Sequence, residues 1–186
     1  NSNLFKDVSV KILDNKYIIY ISEYPNIKKI NYLGNERLKN EELNQLADEI
    51  KLENLDPRNI NSFIKEVITV YQSFGYNNLN INYNSKIDDN TNTAILTFDF
   101  NEGKITKING IFFQGNNNFN SQNLKQIINS KTKTLSNIFA NNNYKPFLID
   151  RDKFAIIDFY RNNGYLDIIV DSKVEYLPGN RVNIYF

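Results

Sequence analysis

At 186 residues the chain has room for one or two domains. Its 22 Lys+Arg against 21 Asp+Glu leave a net charge of +1, interspersed and without a basic stripe, which argues against a nucleic-acid partner. It contains neither Cys nor His, which excludes disulfides, zinc–thiolate sites, thiol nucleophiles and the usual general base near neutral pH.

Residues 7–24 read as a hairpin: Val8, Val10 and Ile12 alternate with polar residues, Asp14-Asn15-Lys16 turns, and Tyr17 to Ile21 runs back. A lone hairpin is not stable in water, so this one is expected to close a preceding domain. After Glu23-Tyr24-Pro25, Ile27 to Leu33 reads as a strand and Gly34-Asn35 as a turn. A helix is predicted from about Asn40, with Leu43, Leu46, Ala47 and Ile50 on one face. Asp56-Pro57 starts a second helix, Asp as N-cap and Pro at the first helical position, and Gly75 stops it. Leu79, Ile81, Tyr83 and Ile87 then alternate in one strand, and Ala94, Leu96, Phe98 and Phe100 in its partner, across the turn Asp88-Asp89-Asn90.

The same order of signals returns. Ile27-x-x-Ile30-x-Tyr32-x-Gly34-Asn35 is matched by Ile108-x-x-Ile111-x-Phe113-x-Gly115-Asn116, and Tyr71-x-x-x-Gly75-Tyr76 by Tyr160-x-x-x-Gly164-Tyr165. In the second copy Ser121 is expected to cap a short helix bearing Leu124, Ile127 and Ile128. A longer helix runs from about Pro146 or Asp150 to Asn163, and strands follow at Leu166–Tyr176 and from Val182. A period of about 80 to 90 residues means two small domains and not a solenoid. The fold class is α+β: tandem β-α-α-β-β domains, each a three-stranded mixed sheet with two helices on one face. The copies differ by an insertion between the helices, 131–147, with Leu135, Ile138, Phe139, Tyr144 and Phe147; Phe139, Tyr144 and Phe147 make it a candidate interaction loop. The joints at Glu23-Tyr24-Pro25 and Asn101-Glu102-Gly103 lack Gly/Ser spacers, so Glu23, Pro25, Glu102 and Gly103 are read as interdomain hinge positions.

Abundant Asn is threaded through regular apolar patterns, which fits an AT-rich genome better than prion-like disorder. No apolar run approaches the roughly 18 residues of a bilayer-spanning helix. The chain opens on Asn1 without a Met and stops at Phe186 inside a strand-like run, which reads as a piece of a longer protein.

Gly-Asn after the first strand, Tyr-x-x-x-Gly-Tyr ending the second helix and Glu-Gly at the joint together resemble the POTRA domain, and the resemblance covers essentially the whole chain. Residues 25–103 look like one POTRA domain, 104–186 like the next with its last strand truncated, and 1–24 like the closing hairpin of the one before. The stretch Tyr144-x-Pro146, Asp150-Arg151-Asp152 and Phe159-Tyr160-x-x-x-Gly164-Tyr165 is similar to the third POTRA domain of α-proteobacterial BamA-type outer-membrane assembly factors. The resemblance implies a periplasmic scaffold, monomeric as a fragment. Its partners would be unfolded outer-membrane proteins and accessory assembly lipoproteins, with membrane contact only through a C-terminal β-barrel outside this chain. A two-partner secretion or TamA-like transporter is the alternative. A carbohydrate-binding or hydrolytic module is a distant one, requiring Phe139, Tyr144 and Phe147 all to be exposed.

No nucleophile–base pair, phosphate cradle or metal-ligand spacing stands out, and no cofactor is implied. Glu41, Glu42, Asp150 and Asp152 are read as dipole-favoured residues at helix N-termini, and Asp88-Asp89 as a turn. The remaining chemistry is backbone recognition. The strand order puts the second strand of each sheet at an edge, about Asn78–Ile87 and Leu166–Tyr176, where an extended peptide can add. The candidate binding residues are Asn80, Ile81, Asn82, Tyr83 and Asn84, and Ile168, Ile169, Val170, Asp171 and Ser172.

Overall fold

The structure, a computed structural model, describes residues 5–14, 16–133 and 139–186. Leu135 and Ile138 of the insertion and Asn15 of the hairpin turn lie outside them. The chain divides into two compact units, residues 1–68 with 80–102, and residues 69–79 with 103–186.

In the first unit, β1 (Phe5–Leu13) and β2 (Lys16–Glu23) form an antiparallel two-stranded sheet. The pairs Val8↔Ile21, Val10↔Ile19 and Ile12↔Tyr17 share one face because strand side chains alternate with period two. All six are at least 52% exposed. The rest of the unit is β3 (Asn26–Leu33), α1 (Asn40–Glu49), α2 (Pro57–Phe74, its last turns counted with the second unit), β4 (Asn80–Asp88) and β5 (Thr93–Asn101). The sheet order is β3-β5-β4, with β5 parallel to β3 and antiparallel to β4.

The reasons are local. The Glu42 carboxylate accepts from the Lys39 N–H at 2.8 Å and starts α1. Asp56 starts α2 by accepting from the Arg58 N–H at 2.9 Å, and the Arg58 guanidinium, bonded to the same carboxylate, holds its pKa below the usual range. Gly75 ends α2 in the left-handed region at φ +98, which a side chain rarely adopts. Along β5, Ala94, Leu96, Phe98 and Phe100 are buried, and Tyr32, Leu43, Ala47, Ile60 and Phe63 share their core.

The second unit repeats the plan with β6 (Lys107–Phe112), α3 (Ser121–Ile127), α4 (Pro146–Asn162), β7 (Lys173–Leu177) and β8 (Arg181–Tyr185), in the order β6-β8-β7. Both first strands carry a register shift at the same place, between Ile27 and Lys29 and between Ile108 and Gly110. The cap of α3 is Asn120 and not Ser121, because the Asn120 side chain reaches the Asn123 N–H. The core gathers Ile108, Ile111, Leu124, Ile156, Tyr160, Val182 and Ile184.

Asp152 is not a residue of a helix N-terminus. It lies two turns inside α4, fully buried, and accepts from the backbone N–H groups of Asn129 at 2.6 Å and Ser130 at 3.0 Å. It ties the segment after α3 to the longer helix.

Burial, with the Asp48 charge second, pushes the Tyr32 phenol up to about 12. Burial, with Tyr176 second, does the same to Tyr144. An unfolded phenol releases its proton near 10.0, so stability is intact below that pH and falls as the pH rises toward 12. Urea unfolding followed by circular dichroism between about pH 9 and pH 12 should show that loss, and Tyr32→Phe should reduce it.

Candidate functional site: the open sheet edge

A three-stranded sheet has two edges, and each offers unpaired backbone groups. In both units the edge on the first strand is partly occupied. Beside β3, the Ile27 N–H donates to the Glu53 carbonyl at 2.8 Å and the Leu55 N–H to the Pro25 carbonyl at 3.0 Å. Beside β6, the Ile108 N–H donates to the Asn142 carbonyl at 2.7 Å and the Tyr144 N–H to the Thr106 carbonyl at 2.8 Å. Each contact is an isolated antiparallel bridge that covers the start of the strand.

The opposite edge is different. All nine residues of β4 pair with β5, from Asn80↔Asn101 to Asp88↔Thr93, and no strand lies on the other side of β4 among the described residues. Its two faces differ. Ile81, Tyr83 and Ile87 lie on the side of the core, Ile81 half-buried and the others 44% and 47% exposed. Asn80, Asn82 and Asn84 point the other way and are exposed. The edge therefore presents a run of backbone donors and acceptors, with an apolar ledge on one side and three amides followed by Lys86 and Asp88 on the other. Sequence reasoning placed this strand at about Asn78–Ile87, with Asn80 to Asn84 as the candidate binding residues; the structure gives Asn80–Asp88, since the turn begins one residue later than Asp88-Asp89-Asn90 suggested.

The second edge is shorter than the alternation implied. Of Leu166–Tyr176 only Lys173–Tyr176 is strand, within β7. Ile168, Ile169, Val170, Asp171 and Ser172 are not strand, because the ladder stops at Lys173↔Tyr185, one residue before Phe186. An alternating pattern gives a strand only where a partner supplies hydrogen bonds. On β7 itself, Glu175 accepts from Asn183 at 3.1 Å and Tyr185 at 2.9 Å, which lowers its pKa.

The insertion does not hold three exposed aromatics together. Tyr144 is 5% exposed and belongs to the core, edge-on to Tyr176. Phe139 is 93% exposed, and Phe147 lies under the Arg151 guanidinium, 5.4 Å from its ring centroid. Tyr144 therefore leaves the candidate loop, and the aromatic platform a carbohydrate site needs is not formed. At the joint, the Glu102 carboxylate accepts from the Arg37 N–H at 2.8 Å, and Gly103 takes φ +66. No helix among the described residues is long and apolar enough to cross a membrane.

The sequence matches the family described as POTRA, surface antigen variable number repeat, twice, over residues 25–103 and 106–186. The chain belongs to the POTRA family. Two tandem POTRA domains account for the repeat, for the β-α-α-β-β order and for the strand order of both sheets. Over 94% of its length the chain is 24% identical to the outer membrane protein assembly factor BamA of Neisseria meningitidis, and 24% identical to the BamA of Neorickettsia risticii. It spans under a quarter of the length of either relative, 22% and 24%. The fold is similar to that of POTRA domains 3 to 5 of Haemophilus influenzae BamA, with a TM-score of 0.57 at 16% identity over 97% of this chain and 70% of that one.

Proposed function

We propose that this chain is the periplasmic POTRA region of an outer-membrane protein assembly factor, and that β4 receives extended segments of unfolded outer-membrane proteins by strand addition. The observation that carries the reading is the contrast between edges: β3 and β6 are bridged at their starts, whereas β4 offers nine residues of open ladder. Each added backbone hydrogen bond contributes about 0.5–1.5 kcal/mol net, so a few of them hold a client weakly and without regard to its sequence. That suits a surface that must release what it holds. Likeness to BamA supports the location, a β-barrel elsewhere in the whole protein, and docking of accessory lipoproteins.

Residues 5–23 are, on this reading, the closing hairpin of a further POTRA domain. Their six-residue apolar face matches the covered faces of β4–β5 and β7–β8, and β2 enters β3 through Tyr24-Pro25 alone. Glu23, Pro25, Glu102 and Gly103 are the proposed pivots between domains.

The test is a titration of isotope-labelled chain with a peptide copied from an outer-membrane β-strand, against a scrambled control. Amide shifts confined to Asn80–Asp88 are the expected result. Absence of shifts at millimolar peptide would remove strand addition and leave contacts to folded partners as the working surface.

A further inference from the structure

A helix that covers a sheet buries one face and turns the other to solvent, where polar residues are expected. On α4 that outer face is not polar throughout. Phe147, Arg151, Phe154, Asp158 and Arg161 follow one another at spacings of four and three residues, which puts them in one stripe along the helix. All five are exposed, Phe154 at 66% and Phe147 at 44%. The stripe lies opposite the buried Ile149, Asp152, Ile156 and Tyr160.

The repeat supplies an internal control. Pro57 opens α2 as Pro146 opens α4. Tyr71-x-x-x-Gly75-Tyr76 closes α2 as Tyr160-x-x-x-Gly164-Tyr165 closes α4, so the two helices align residue for residue. Their buried positions agree: Ile60, Phe63, Val67 and Tyr71 fall on Ile149, Asp152, Ile156 and Tyr160. Their outer stripes do not. Arg58, Ser62, Lys65, Thr69 and Gln72 stand where α4 has Phe147, Arg151, Phe154, Asp158 and Arg161. The fold accepts a wholly polar stripe at this place, so the two exposed rings of α4 are not required by the domain's own packing.

The order of residues in the stripe names its occupant. It reads aromatic, cation, aromatic, anion, cation. An isologous interface needs a patch that is its own complement. Laid antiparallel against itself about a two-fold axis at Phe154, this stripe is one. Phe154 meets the same ring of the other copy. Arg151 and Asp158 stand about one helical turn to either side of the axis, so each meets the opposite charge. Phe147 meets Arg161 at both ends, a ring facing a guanidinium. Neither Arg151 nor Asp158 makes a salt bridge within its own chain among the described residues. Arg151 lies over the Phe147 ring, 5.4 Å from its centroid, and so leans toward the start of α4, where Asp158 of the other copy arrives. The same operation on α2 would set Lys65 against Lys65, a like-charge contact.

We infer that the outer stripe of α4 is a self-association surface, on which a second copy of this chain docks antiparallel, helix on helix, in a two-fold dimer. The contact is small, two part-exposed rings and two charges a side, below the roughly 1,200 Å² of a standard interface. The dimer is therefore weak and reversible, with a Kd of about 0.1 mM. It leaves β4 untouched and does not rest on strand addition there.

The experiment is sedimentation equilibrium of the 186-residue chain from about 10 µM to about 1 mM, where the dimer should grow with concentration. Amide shifts of isotope-labelled chain over the same range should gather between Phe147 and Arg161. Phe154→Lys, which gives α4 the residue α2 carries, should weaken association at least about tenfold. Arg151→Asp and Asp158→Arg should each do the same, because like charges then face one another across the axis. The two together should restore most of the association, since the charges have only changed places. All three positions are exposed, so circular dichroism should show the fold unaltered. A chain still monomeric at about 1 mM would overturn the inference. So would association whose shifts fall on β1 and β2 or on β4, or which the exchanged charges fail to restore.

Discussion

Phe98→Ala is expected to destabilise the first POTRA domain by about 3–5 kcal/mol, the largest single effect in the chain. Phe98 is fully buried on β5, the central strand, flanked by β3 and β4. Its ring centroid is 4.8 Å from that of Phe63, 6.1 Å from Tyr32 and 6.1 Å from Tyr83. Truncation removes the transfer energy of a phenyl group and leaves a hole that two strands and a helix cannot collapse into without breaking the ladder. Phe98→Leu, which keeps most of the volume, should cost well under half as much. Urea midpoints by circular dichroism, with amide exchange at Leu96 to assign the loss to this domain, check both. Equal costs for the two variants would mean that the site relaxes and that the ring packing is not what holds the sheet.

Asp152→Ala is expected to cost the second domain about 2–5 kcal/mol. The carboxylate is wholly buried and satisfies two backbone N–H groups, those of Asn129 and Ser130, together with the Asn129 side-chain amide at 3.2 Å. Removing the acceptor leaves the buried Ser130 N–H unmatched, which costs about 1–3 kcal/mol, and removes two further bonds from the exposed Asn129. Asp152→Asn keeps the shape and one acceptor oxygen and should retain part of the stability. The loss should be confined to the second domain, read as faster exchange at Leu124 and Ile156 with Leu96 unchanged. If Asp152→Ala proved neutral, the tie between α4 and the segment after α3 would be dispensable.

The architecture was legible in the sequence because the two copies corroborate each other. Gly-Asn, the apolar helical faces and Tyr-x-x-x-Gly-Tyr are each ordinary, and only their repetition in order separates a domain from coincidence. The Asp56-Pro57 helix start was readable because cap chemistry is local. Asp152 was misread for the opposite reason. A carboxylate near a helix start suggests the dipole, and its true role depends on Asn129 and Ser130, which only folding brings close. Its position six residues beyond Pro146 was the available clue, since dipole effects fade after the first turn. Ile168 to Ser172 were misplaced because alternation reports which side chains want burial, not whether a neighbouring backbone exists to pair with. Tyr144 and Phe139 lie five residues apart with opposite fates, and side-chain type does not distinguish them.

The polar side of β4 carries Asn80, Asn82 and Asn84, followed by Lys86 and Asp88, whose opposite charges leave it with no net charge. If β4 receives clients as proposed, an incoming strand meets no net charge that hastens or orients its approach. Encounter would then proceed at the unsteered rate of about 10⁵–10⁶ M⁻¹s⁻¹, with little for ionic strength to screen. The same balance would admit clients of either sign, so an edge used this way would discriminate by chain extension alone: whatever is already folded has no free backbone to offer, and would be passed over.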